Sequence, residues 1–265
     1  MKLLDFFGLS QQPFGRSPAA DALYHHRGFD EAVSRLAFAV ELAGIALLLS
    51  EPGCGKSLLL GVVADELARA GWVVHYFAHT TVGPFGLVNV LSRKVGLAPR
   101  RSRGETATAL ADHLADDERR HLVVVDEAHQ LPDDSLEDLR LLTITDFDRK
   151  SPFLLLLAGQ PRLDERLAEP VHYALDQRIT TVARLQPLSL EETGEYLCLR
   201  LRHAGAGDRP LFTDGALANL FDASGGVPRR INNVATSALI VAASRNRRLV
   251  EAQDVADARI DRGRP

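Results

Sequence analysis

Ser50-Glu51-Pro52-Gly53-Cys54-Gly55-Lys56-Ser57 follows the apolar run Ile45 to Leu49 and opens an apolar-periodic stretch from Leu58 to Ala70. A buried-strand pattern, a Gly-rich turn ending in Lys-Ser and a helical pattern form the context in which such a turn reads as a phosphate-binding loop. Gly53 and Gly55 let the backbone curl so that successive N–H groups converge on phosphate oxygens, and the positive end of the next helix adds to the attraction. Lys56 would reach the β- and γ-phosphates of ATP, and the Ser57 hydroxyl would ligate the Mg2+ that bridges them. The nucleotide-facing stretch is therefore Pro52, Gly53, Cys54, Gly55, Lys56, Ser57 and Leu58. Ser50 stands where the pattern G-x-x-x-x-G-K-[ST] has its first Gly; a serine also turns a strand end. A Gly-Lys-Ser turn that binds nothing is the alternative.

The chain around this loop is of ordinary globular composition. Its 265 residues are 46% hydrophobic and 25% charged, enough for one large domain, or a medium one with a small appendage, around a real core. The formal net charge of −4 gives no general attraction to nucleic acid or anionic membrane, so any such contact must come from a local patch. Cys54 and Cys198, the two cysteines, follow no metal-ligand spacing and point to a reducing cytoplasm without disulfides. No apolar run approaches the roughly 20 residues of a membrane span. The N-terminus, with Asp5 early, has no signal-peptide pattern.

Outward from the loop, strand patterns at 45–49, 72–77, 122–125, 153–157 and 179–182 alternate with helical ones at 58–70, 84–95, 105–115, 135–142 and 162–167. Such alternation predicts an α/β fold, a parallel sheet flanked by helices, with the nucleotide at the carboxyl ends of the strands. After Pro187 no strand pattern remains. Ser189 with Glu192 makes a capping box, Thr213 caps a second helix ended by Gly225-Gly226, Pro228 opens a third, and Val250 to Ile260 makes a fourth. Three segments follow: an N-terminal arm over 1–34, rich in Phe, Pro and Gly and packing on the ATPase core; the α/β nucleotide-binding domain over 35–187; and a helical lid domain over 188–265.

The second half of an ATP site is legible in Leu122-Val123-Val124-Val125-Asp126-Glu127-Ala128-His129. Asp126 would hold the magnesium ion, and Glu127 would polarise the water that attacks the γ-phosphate; a helix cap is the alternative. His129 reads as an exposed or capping histidine without a catalytic role. Gln160, after the apolar run ending at Ala158, is placed to touch the attacking water or the γ-phosphate, or is a turn residue. Arg178 puts a guanidinium at a domain edge, where it reaches a neighbouring subunit's nucleotide or makes a surface ion pair. Arg229, in the first turn of the helix opened by Pro228, reads the γ-phosphate or stays solvated.

Taken together, Phe6-Phe7-Gly8-Leu9, Pro13-Phe14, Asp126-Glu127-Ala128-His129, Leu139-Arg140-Leu141-Leu142, Ala158-Gly159-Gln160-Pro161, Gln177-Arg178-Ile179, Pro187-Leu188 with Glu192-Thr193 and Tyr196, and Gly225-Gly226-Val227-Pro228-Arg229 make the chain resemble the AAA+ ATPases. The resemblance is to the ExeA-like (GspA-like) group and to transposition helper ATPases of the TnsC and TniB kind. It implies a P-loop NTPase (AAA+) fold with a small all-helical lid. It further implies that Lys56 is the Walker A lysine, that Asp126 and Glu127 are the Walker B pair, and that Gln160 is sensor 1. Arg178 then corresponds to the arginine finger and Arg229 to sensor 2, and Tyr24 packs near the adenine or in the core.

The resemblance implies an ATP-dependent homo-oligomer, ring or filament. The leading expectation is a transposition helper that assembles on double-stranded DNA and marks a target for a transposase. Secretion-type relatives continue into a membrane span and a wall-binding region, and the chain up to Pro265 has neither, which favours the transposition type. A secretion-associated ATPase and a nucleotide-dependent interaction module with little turnover are the alternatives. DNA contact would come from Arg100, Arg101 and Arg103, with Arg93 and Lys94 before them, and secondarily from Arg245, Arg247, Arg248 and Arg262; a solvated charged loop is the other reading.

Overall fold

The computed structural model describes residues 3–15, 23–42, 44–78, 86–144 and 151–260. The start of the helix expected from Pro84, and Arg262, lie outside the described residues. The chain divides into two compact units, residues 28–185 and residues 1–27 together with 186–265.

The N-terminal arm carries a short helix, α1 (Leu3–Phe7), and α2 (Arg27–Leu42) leads into the first unit. Then follow β1 (Ile45–Ser50), α3 (Lys56–Arg69), β2 (Val73–Phe77), α4 (Gly86–Lys94), α5 (Arg103–Asp116), β3 (His121–Val125), α6 (Asp133–Leu142), β4 (Leu154–Gly159), α7 (Arg162–Leu167), α8 (Tyr173–Asp176) and β5 (Ile179–Leu185). All the strand pairs are parallel, in the order β2-β3-β4-β1-β5. The burial of each strand follows from its place in that order. The inner strands β1, β3 and β4 are buried at every position, whereas the edge strands β2 and β5 are buried only in part. Continuous Leu/Val runs are what burial on both faces demands. One face, with Leu47, Leu49, Val123, Val125, Leu155 and Leu157, packs with Leu91 of α4, Leu110 of α5 and Leu139 of α6. Each such leucine contributes about 1.5–3 kcal/mol by leaving water.

The second unit is helical: α9 (Leu190–Leu201), α10 (Asp214–Ser224), α11 (Pro228–Ser244) and α12 (Ala252–Ile260). Ser189 and Glu192 form the reciprocal capping box, and the Thr213 hydroxyl accepts from Ala216 N–H at 3.1 Å. The first 27 residues of the arm group with this unit, and residues 28–34 with the α/β unit. Phe6, Phe7 and Leu9 are buried with Leu197, Leu201 and Leu211. Arm backbone groups also find partners there: Ser10 N–H donates to Ala204 O at 2.8 Å, and Arg200 donates to Pro13 O at 2.9 Å and to Gly15 O at 3.1 Å. Aromatics and satisfied carbonyls together fix where an otherwise irregular segment lies.

Gly226 is the tightest point of the unit. Its φ is +72°, Leu188 N–H donates to its carbonyl at 2.9 Å, and a Cβ there would stand 1.9 Å from Leu188 O. Gly226→Ala is expected to destabilise the helical unit by about 2 kcal/mol or more, seen as a lowered midpoint in thermal unfolding by circular dichroism. An unchanged midpoint would mean that the turn relaxes freely. Among the described residues no helix is long and apolar enough to cross a membrane.

Candidate nucleotide site

The loop between β1 and α3 has its curl from two left-handed glycines, Gly53 at φ +96° and Gly55 at φ +106°, and Gly55 is the residue from which α3 starts. Cys54 N–H donates back to Glu51 O at 3.2 Å, closing the turn, and the Cys54 side chain is buried. Non-glycine residues rarely adopt such φ values, so the two glycines are what permits a backbone cradle at this helix N-terminus.

Parallel pairing brings the tip of β3 beside the loop. Asp126, just past β3, is fixed by its N–H donating to Phe77 O at 2.8 Å, and its carboxylate is surrounded by donors. Lys56 Nζ donates to Oδ1, Tyr76 Oη donates to Oδ2 at 2.9 Å, and Ser57 Oγ stands 3.5 Å from the same Oδ2. Lys56 Nζ also contacts Glu127 Oε1. Lys56 is 7% exposed and Asp126 5%, so each ion compensates a charge that would otherwise be stranded away from water. Glu127 adopts φ +55°, one of two described non-glycine residues with positive φ. Strain of that kind clusters at functional sites, and here it turns Glu127 out of line with Asp126.

Two residues near the acids were given no role at the site from the sequence. Tyr76, on β2, holds Asp126 by its hydroxyl; burial, and then Asp126 accepting its hydrogen bond, push its pKa up to about 12. An edge-strand tyrosine carries no sequence signal for this. His129, expected exposed or capping, is buried at 6%. The 3-10 turn at residues 128–130 tucks it inward, where its Nε2 lies 3.5 Å from Glu127 Oε2 and its Nδ1 accepts from Gln160 N–H at 3.3 Å. Burial first, and then the charge of Arg162, lower its pKa.

The structure thus brings together Pro52 to Leu58, Asp126 and Glu127, with Gln160 tied to them through His129. It does not bring Arg178 there. Arg178 immediately precedes Ile179, which pairs with Ile45 at the start of β1, whereas the loop follows Ser50 at its end. A six-residue strand puts the two about 20 Å apart along the sheet. Arg178 is half-buried, with Nη2 3.5 Å from Thr143 O. Arg229, in the first turn of α11, and Tyr24 belong to the helical unit, where the Tyr24 hydroxyl donates to Glu195 and its ring meets that of Tyr196.

Ser57 Oγ and Asp126 Oδ2 are hard oxygen donors of the type magnesium takes, with phosphate and water completing its shell. The residues therefore fit MgATP. Residues 40–167 match the family model of the AAA domain. The chain carries an AAA domain.

Over 246 residues, 91% of its length, the chain is 34% identical to general secretion pathway protein A of Aeromonas hydrophila, and it spans 45% of that protein. It therefore covers less than half the length of this relative. Among solved structures, Cdc6p of Pyrobaculum aerophilum aligns with a TM-score of 0.69 at 16% identity, covering 94% of this chain and 70% of that one. The ORC2 protein of Aeropyrum pernix aligns with a TM-score of 0.66 at 19% identity, covering 94% and 71%. At such identities the likeness is one of fold. It agrees with a P-loop AAA+ architecture, a five-stranded parallel sheet flanked by helices, with C-terminal helices present.

The basic clusters expected to meet DNA differ in availability. Arg103 is committed to Asp138, with Nε donating at 2.7 and 2.8 Å, and to Asp134 O at 2.6 Å. Arg245 pairs with Asp254 and Asp257, and Arg247 with Glu251. Arg93, Arg100 and Arg101 are exposed.

Proposed function

We propose that the protein binds ATP with Mg2+ and hydrolyses it to ADP and phosphate at the subunit interfaces of a homo-oligomer. The observation that carries this reading is the convergence of Lys56, Ser57, Asp126 and Glu127 on one loop at the carboxyl end of the sheet. Magnesium held by Ser57 and Asp126 would neutralise charge on the β- and γ-phosphates. Lys56 exchanges its carboxylate partners for phosphate oxygens, which releases Glu127. Glu127 then takes a proton from the attacking water as the O–P bond forms and the bond to the ADP oxygen breaks. Gln160 orients the water or the γ-phosphate. Since Arg178 lies at the far end of its own sheet, its guanidinium serves a nucleotide only on an adjoining copy. A cytoplasmic setting goes with this reading.

Two settings use such an engine. A role in secretion, as the name of the 34% identical relative states for that protein, is supported by identity running through both units. A transposition helper that assembles on duplex DNA and activates a transposase is supported by exposed Arg93, Arg100 and Arg101, whereas Lys94, Arg103, Arg245, Arg247 and Arg248 have partners within the chain. The purified chain is expected to release phosphate from ATP only with magnesium, and to gain mass in light scattering with a non-hydrolysable analogue. Failure to retain adenine nucleotide with magnesium overturns the whole reading. The same analogue in a low-salt gel shift with duplex DNA separates the settings: no shift removes the DNA role.

A further inference from the structure

His129 is a buried titratable group that the chemistry above does not use. Its side chain has no exposed surface, and no described group comes within hydrogen-bonding distance and geometry of its Nε2. A neutral imidazole carries one proton, and the nitrogen that accepts a hydrogen bond cannot be the one that bears it. Gln160 N–H donates to Nδ1, so the proton sits on Nε2. That nitrogen faces Glu127 Oε2 at 3.5 Å, whereas Lys56 contacts the other oxygen, Oε1. The room for this arrangement comes from Gly159, where a Cβ would stand 3.3 Å from Nδ1 and 2.9 Å from Leu163 Cδ2. Burial and the nearby Arg162 and Lys56 charges disfavour a second proton, while Glu127 and Asp126 favour it; the balance lowers the pKa of the ring.

We propose that His129 is a positioning residue for Glu127: its Nε2–H, aimed at Oε2 from 3.5 Å, closes on that oxygen once Lys56 turns to the triphosphate, while its Nδ1 stays tied to the backbone of Gln160 at the end of β4. The inference rests on reading Glu127 as the proton acceptor. Glu127 then takes its orientation at Oε2 from the His129 ring while Lys56 serves the triphosphate. Any shift of Gln160 toward or away from a γ-phosphate reaches Glu127 through a single rigid ring.

Asn and Gln separate the two nitrogens. His129→Asn keeps an acceptor near the Nδ1 position for Gln160 N–H but loses the donor toward Glu127, whereas His129→Gln carries an N–H donor near the Nε2 position. The expected result is kcat about 10-fold lower in His129→Asn with KM for ATP within about 2-fold, and recovery of most of that loss in His129→Gln. Nitrogen-15 NMR of the nucleotide-free wild-type protein is expected to show the His129 ring as the Nε2–H tautomer, and Glu127→Gln to shift its Nε2 signal. An Nδ1–H tautomer overturns the proposal without any turnover assay. A fully active His129→Asn beside an inactive Glu127→Gln overturns the role of His129 alone. Glu127→Gln hydrolysing like the wild type overturns the underlying reading of Glu127.

Discussion

Arg178→Ala is expected to lower ATP turnover about 10³-fold, the scale of a guanidinium lent to a phosphoryl-transfer transition state, while the affinity of each subunit for ATP stays within about 2-fold. Sheet register supplies the reason. Arg178 adjoins the residue paired with Ile45, at the opposite end of β1 from the phosphate loop, so it contributes nothing to nucleotide binding in its own copy. Steady-state phosphate release, set beside equilibrium binding of a fluorescent ATP analogue, measures both quantities. Mixing Arg178→Ala with Glu127→Gln protein should restore part of the activity, because some interfaces then carry an intact acid from one copy and an intact arginine from the other. Full activity of Arg178→Ala alone would mean that the site is not shared.

Glu127→Gln should retain ATP and lose about 10²–10³-fold in kcat. An amide of the same shape cannot accept the proton of the attacking water, and a positioned base is worth about 10²–10⁴-fold. Asp126, with its contacts to Lys56, Tyr76 and Ser57, is untouched by the change, so magnesium-dependent binding should persist. Unchanged phosphate release in a single-turnover assay would refute the assignment.

The inner strands were legible because a strand buried on both faces must be written as an unbroken apolar run, and Leu122 to Val125 and Leu154 to Ala158 are such runs. The last strand was read short, to Val182, because β5 lies at the sheet edge and its burial is broken after that point, with Ala183 and Leu185 buried and Arg184 exposed. The phosphate loop and the acidic strand tip were legible for a different reason: their chemistry needs particular residue types at adjacent positions. What stayed hidden depends on distant partners. Nothing local to Arg103 announces Asp138, 35 positions later, and nothing local to His129 announces Gln160 N–H. Phe6 and Phe7 advertise that the arm is pinned, but composition does not say to what.

The helical unit is discontinuous in sequence, built from the first residues and the last stretch of the chain, with residues 28–185 intervening. On the ribosome, Phe6, Phe7 and Leu9 therefore emerge long before Leu197, Leu201 and Leu211, the side chains that bury them. The α/β unit is complete once Leu185 is made, and it folds first in a vectorial synthesis. Until the last stretch is made, the leading aromatics lack the side chains that bury them. The closure of a very long loop, rather than any single contact, sets when the helical unit becomes native.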